Sequence, residues 1–170
     1  MNASALTQVH LKPGELILCQ EPCLIVTVLG SCVSVTMFHR PTRIAAICHA
    51  MLPEPKSKGA DENEPHLHRY VSEVIPEMCR HFALAGLAPE QVEVKLFGGG
   101  NVISMADESP RERWIGSVNV RRAREILRET GFTIRASNVG GTSGRKILFN
   151  TATGEVMHKH LSRQSPMRSP

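Results

Sequence analysis

A thiol that attacks an amide carbon needs a base to take its proton, main-chain N–H groups to hold the oxyanion, and a tightly turned backbone. Of the five cysteines in this chain, at 19, 23, 32, 48 and 79, Cys32 has flanks that suit that chemistry. Leu29-Gly30-Ser31-Cys32 puts a glycine and a small serine before the thiol, so the chain can turn sharply and leave the N–H groups around Gly30 and Ser31 free for a developing negative charge. Cys19 and Cys48 sit inside apolar strand-like runs, Cys79 falls in a helical pattern, and Cys23 follows Pro22 in a turn. Each of these reads as a small buried apolar residue, the commonest role of a free cysteine. The simplest base is a histidine, and His49 lies in Ile44 to Leu52 (IAAICHAML), a run where an imidazole is costly without a partner. On residue types alone, a core histidine satisfied by hydrogen bonds is the commoner reading of His49.

Other polar clusters carry less. His66-x-His68 and His158-x-His160 have the look of metal pairs, but no Cys, Asp or Glu set stands at ligand spacing and there is no CxxC or HExxH. They read as exposed histidines, and no metal is expected. Gly140 to Lys146 (GGTSGRK) lacks the order of a phosphate loop and precedes a strand, so it reads as a turn or a substrate-facing loop. Gly98-Gly99-Gly100-Asn101 lacks dinucleotide-binding spacing.

The elements that must position Cys32 and His49 are short strands. Glu15 to Cys19 reads as one, and Leu24 to Phe38 as two that meet at the Gly-Ser-Cys bend. After the polar turn at His39 to Arg43, Ile44 to Leu52 returns as a neighbouring strand stopped by Pro53, which brings His49 alongside. Pro53 to Pro65 is a mobile surface loop by composition. Apolar residues from Tyr70 to Ala85 recur at helical spacing, with Pro76 marking a kink or a late start. Val92 to Phe97 alternates as a strand, and Ser117 caps a helix running to about Thr130. Phe132 to Ala136, Lys146 to Phe149 and Glu155 to His160 complete the strands, the last two joined by an Asn150 to Gly154 turn. The expected fold class is α+β: a single domain of layered mixed β-sheets flanked by helices, spanning residues 11–160, with residues 1–10 and 161–170 as flexible tails.

Composition agrees with one globular domain. The 170 residues are 41% hydrophobic, and 20 Lys plus Arg against 16 Asp plus Glu leave a net charge of +4, too small and dispersed to point to nucleic acid. No window is long and apolar enough for a membrane span, and the start lacks the order of a secretory signal, so a cytoplasmic location without membrane insertion is expected. An odd cysteine count in a chain able to bury its own core argues for reduced thiols.

The blocks Leu29-Gly30-Ser31-Cys32-Val33 and His49-Ala50-Met51-Leu52-Pro53 resemble the chemoreceptor glutamine deamidases of the CheD family. Phe97 to Asn101, Ile115-Gly116 with Asn119, Gly140-Gly141, Gly144-Arg145-Lys146 and the Asn150 to Gly154 turn follow in that family's order, so the resemblance covers about Leu11 to His160. It implies hydrolysis of specific glutamine side-chain amides in methyl-accepting chemotaxis receptors, giving glutamate and ammonia, without a cofactor. Carried over, Cys32 is the nucleophile, His49 the general base, and Gly30 and Ser31 supply the oxyanion site. Hydrolysis of receptor glutamyl methyl esters would pass through the same thioester. The family also resembles the catalytic core of cytotoxic necrotizing factor toxins, which implies a layered architecture. Its members are bound by the CheC-type phosphatase, which inhibits deamidation. The rival reading is therefore a receptor- or CheC-binding regulatory module with little turnover. One position departs. The family commonly carries a third catalytic group, a threonine, six residues before the cysteine, where this chain has Val26; Thr27 follows one residue later. A one-residue step along a strand reverses the face, so the candidate Thr27 is expected to point away, leaving a backbone carbonyl or Ser31 as other partners for His49.

Overall fold

The chain forms nine strands and two α-helices among the residues described by this computed structural model, 6–55, 67–102 and 114–161. The strands are β1 (Thr7–His10), β2 (Leu16–Cys19), β3 (Cys23–Leu29), β4 (Val33–His39), β5 (Ile44–Cys48), β6 (Glu93–Gly98), β7 (Ile134–Val139), β8 (Arg145–Asn150) and β9 (Glu155–His160). The helices are α1 (Val71–Leu84), between β5 and β6, and α2 (Ile115–Glu129), between β6 and β7. One sheet has the order β1-β3-β8-β9, the other β2-β5-β4-β6-β7, and both mix parallel and antiparallel pairs.

Strand parity sorts the side chains into two cores. Val33, Val35 and Met37 of β4, with Ala46 and Cys48 of β5 and Val94 and Leu96 of β6, meet Val71, Val74, Ile75, Met78 and Phe82 of α1 and Val120, Ala123 and Leu127 of α2. The alternate residues face the other sheet: Phe38, Ala45 and Ile47 pack with Ile25 and Phe149, while Phe97 packs with Leu29 and Ile147. Helices, five-stranded sheet and four-stranded sheet thus stack as three layers, since each sheet face and helix stripe must bury its apolar side.

Three expectations change. β3 and β4 do meet at the Gly30 to Cys32 bend, but they lie in different sheets, so the bend carries the chain across the inter-sheet layer. Pairing begins at Thr7, because β1 runs parallel to β3 from Thr7↔Cys23 to His10↔Val26; the amino-terminal part of the fold starts before Leu11. Ser117 lies inside the first turn of α2, whose preceding residue is Trp114, so it does not cap that helix. Pro76 stays inside α1, which starts at Val71. The loop expected over Pro53 to Pro65 and the tail after Leu161 lie mostly outside the described residues.

Candidate active site

The bend that exposes Cys32 is held by its carbonyls. Gly100 N–H donates to Gly30 O and Gly99 N–H to Cys32 O, both at 2.8 Å. Asn119 Nδ2 donates to Ser31 O at 3.1 Å and to Met51 O at 2.9 Å. The approach of β6 to the bend requires glycine: Gly98 has φ +105°, and a Cβ there would collide with Cys32 O. Gly99, at φ +64°, leaves room for Val120 and for the first turn of α2 at Gly116. Cys32 packs against the cluster formed by Leu29, Phe97 and Ile147, which puts its side chain at the inter-sheet layer.

His49 reaches the same layer from the residue just after β5. The register that pairs Thr36 with Ile47 and Val33 with Ala50 sets Ser34 across from His49 and Cys32 one diagonal step away on the same face. Such diagonal neighbours stand about 7–8 Å apart along the backbone, with side chains closer. From the opposing sheet comes Thr27, whose Oγ1 lies 2.9 Å from Leu11 O and 2.8 Å from His49 Nδ1. The hydroxyl has one proton, and Leu11 O can only accept it. His49 Nδ1–H therefore donates to Thr27, and Nε2 keeps its lone pair. Thr27 thus faces the site, against expectation, while Val26 takes the other face of β3. Because the chain changes sheets between them, counting faces back from Cys32 along one straight strand does not apply.

Burial sets the protonation states. It pushes His49 down to about 4, with the Leu11 carbonyl and Glu15 pulling weakly the other way. It also raises the Cys32 thiol, opposed by the N–H of Cys32 itself. The resting pair is then neutral thiol and neutral imidazole, not a preformed ion pair. A stability consequence follows. The unfolded chain takes up a proton on His49 near pH 6.5 and the folded chain only near 4, so folding weakens as pH falls between them, by about 1.4 kcal/mol per pH unit. Melting curves from pH 7 to pH 4 are expected to show this slope, and His49→Gln to flatten it; equal slopes in both proteins would contradict the assignment.

The remaining sequence candidates separate from the site. His68 pairs with Glu77 at 3.1 Å, and His66 lies outside the described residues. His158 and His160 stand edge to face on β9, with His160 Nδ1 3.1 Å from Ser143 Oγ and His158 beside Phe97. Among the described residues no group of three or more His, Cys, Asp or Glu could hold a metal ion. Gly140 to Lys146 is tied down by Arg145, 1% exposed, whose guanidinium donates to Asn138 O, Asn138 Oδ1 and Gly140 O. Sequence reasoning gave no role to Arg145 or Asn119. The signal was a polar residue at an inward position: Arg145 shares the parity of Ile147 and Phe149, and Asn119 sits in the apolar stripe of α2.

Comparison with known proteins places the chain in a family. Residues 51–160 match the family model described as CheD chemotactic sensory transduction. The "Probable chemoreceptor glutamine deamidase CheD 2" of Geobacter sulfurreducens is 45% identical over 158 residues, covering 93% of this chain and 92% of that protein. A "Probable chemoreceptor glutamine deamidase CheD" of Oleidesulfovibrio alaskensis is 48% identical over 159 residues, 92% of this chain and 74% of that one. A crystal structure of the Bacillus licheniformis hypothetical protein YfiH superposes with a TM-score of 0.45 at 12% identity, over 76% of this chain and 50% of that one. No helix among the described residues is long and apolar enough to cross a membrane. With a family model over most of the chain and relatives this similar along nearly all of it, the chain belongs to the CheD family.

Proposed function

We propose that this chain is a cysteine-dependent chemoreceptor glutamine deamidase in which Cys32 is the nucleophile, His49 the base and Thr27 the group that orients it. The observation that carries the reading is the Thr27–His49 hydrogen bond across the inter-sheet layer, which leaves Nε2 as the free base on the face that Cys32 shares. Nε2 takes the thiol proton as sulfur bonds to the glutamine amide carbon, and the oxyanion faces the N–H groups of Ser31 and Cys32, with Gly30 allowing the turn. The imidazolium returns that proton to nitrogen as the C–N bond breaks, releasing ammonia and leaving a thioester. Water, deprotonated by His49, then attacks; the C–S bond breaks and the sulfur takes back a proton, giving glutamate. Receptor glutamyl methyl esters fit the same acyl chemistry, with methanol leaving in place of ammonia.

The three-layer stack accords with a core of the cytotoxic necrotizing factor type. The domain takes in Leu11 to His160 together with β1. The receptors' cytoplasmic parts are the substrate, which places the protein in the cytoplasm, and a CheC-type phosphatase is its regulatory partner. Incubating a receptor cytoplasmic fragment with the protein should add about one dalton per converted glutamine, read by mass spectrometry of its peptides. A fragment whose mass never changes would sink the reading and leave the binding module. The Thr27 assignment has its own check: Thr27→Val, close in shape, should lower kcat by about 10- to 100-fold with KM little changed, because the base loses the partner that selects its tautomer. Full activity in Thr27→Val, or its loss in Val26→Ala, would remove Thr27 from the mechanism.

A further inference from the structure

Asn119 is wholly buried on α2, in a stripe otherwise lined by Gly116, Val120, Ala123 and Leu127. Its amide orientation is settled by its neighbours, since both are carbonyls: Nδ2 must face Ser31 O and Met51 O. The same placement leaves Oδ1 buried without a hydrogen-bond partner among the described residues. An unpaired buried acceptor is costly. It is retained where the two donors are needed.

The two carbonyls flank the candidate catalytic pair, Ser31 just before Cys32 and Met51 two residues after His49. A trans peptide unit is planar with C=O and N–H antiparallel, so holding Ser31 O toward α2 turns the Cys32 N–H the opposite way. Gly100 N–H does the same for the Gly30–Ser31 unit, directing the Ser31 N–H outward.

Building on the deamidase reading, we propose that Asn119 is a positioning residue that sets the Ser31–Cys32 peptide plane, so that the Cys32 N–H meets the oxyanion, and ties that plane to the segment after β5 that carries His49. Asn119 touches neither substrate nor sulfur; it acts through the main chain.

The test separates steps that form an oxyanion from one that does not. Deamidation passes through a tetrahedral oxyanion, whereas iodoacetamide alkylates Cys32 by displacement of iodide at a saturated carbon. Wild type, Asn119→Leu, Asn119→Ser and Cys32→Ala are compared for ammonia release from a receptor fragment, for the alkylation rate of Cys32, and for thermal melting. The expected result is that both Asn119 variants lose about 10- to 100-fold in kcat, with KM and the alkylation rate within about threefold of wild type. Undiminished kcat in a cooperatively melting variant would overturn the proposal. So would alkylation that falls in step with deamidation, or loss of folding in both variants, since Asn119 would then serve the thiol or the fold. No Cys32-dependent ammonia from wild type would instead overturn the deamidase reading itself.

Discussion

Replacing Cys32 with alanine is expected to remove receptor deamidation by about 10⁴-fold or more, down to the rate without protein, while the fold stays intact. Without sulfur there is no thioester, and the base and oxyanion groups that remain can only act on water. Cys32 is half-buried at a bend held by hydrogen bonds to its carbonyls, none of which involves the thiol, so the truncation leaves the backbone in place. Two of the other thiols give the contrast. Cys48 and Cys79 lie in the core between the five-stranded sheet and the helices, on the other side of that sheet from the inter-sheet layer, so substituting either by a residue of similar size should spare deamidation. Mass spectrometry of the receptor peptides reads both arms. Residual one-dalton shifts in Cys32→Ala would transfer the nucleophile elsewhere.

The second large effect belongs to His49. His49→Gln should lower kcat by about 10³-fold or more at neutral pH, because burial raises the Cys32 thiol and the substitution removes the base proposed to take its proton. The pH profiles should then diverge. In wild type the imidazole is already neutral well below pH 7, so activity holds from neutrality downward and falls only as His49 gains a proton near pH 4. In His49→Gln the rate depends on spontaneous thiolate and should climb with pH throughout the alkaline range. A variant whose profile keeps the wild-type shape would show that the proton goes to another group.

The positions of Cys32 and His49 were legible because their signals are local. A glycine and a serine before a cysteine announce a turn, and a histidine in an apolar strand-length run announces a buried imidazole. The strands β2, β4, β5, β6 and β8 were legible for the same reason, through apolar runs bounded by turn residues, and β9 through the Asn150 to Gly154 turn before it. Thr27 was misplaced because parity along a strand says nothing once the chain bends into another sheet, and sheet membership is set by distant pairing, here β3 with β1 and β8. β1 was hidden because its exposed, polar TQVH lacks an apolar pattern and owes its extended form to β3. Asn119 could be seen as a polar residue in an apolar stripe, but its two acceptors lie 88 and 68 residues away in the chain, beyond the reach of any local rule.

The chain's passage between sheets at Gly30 to Cys32 also bears on folding. Thr27 belongs to the four-stranded sheet and His49 is carried by the five-stranded one, so neither sheet alone contains the set. An expanded intermediate that kept all its strands but let the layers slide apart would hold every one of these side chains and still be inert. Deamidation is therefore a probe of tertiary docking, reporting the moment at which two separately hydrogen-bonded halves become one cooperative unit.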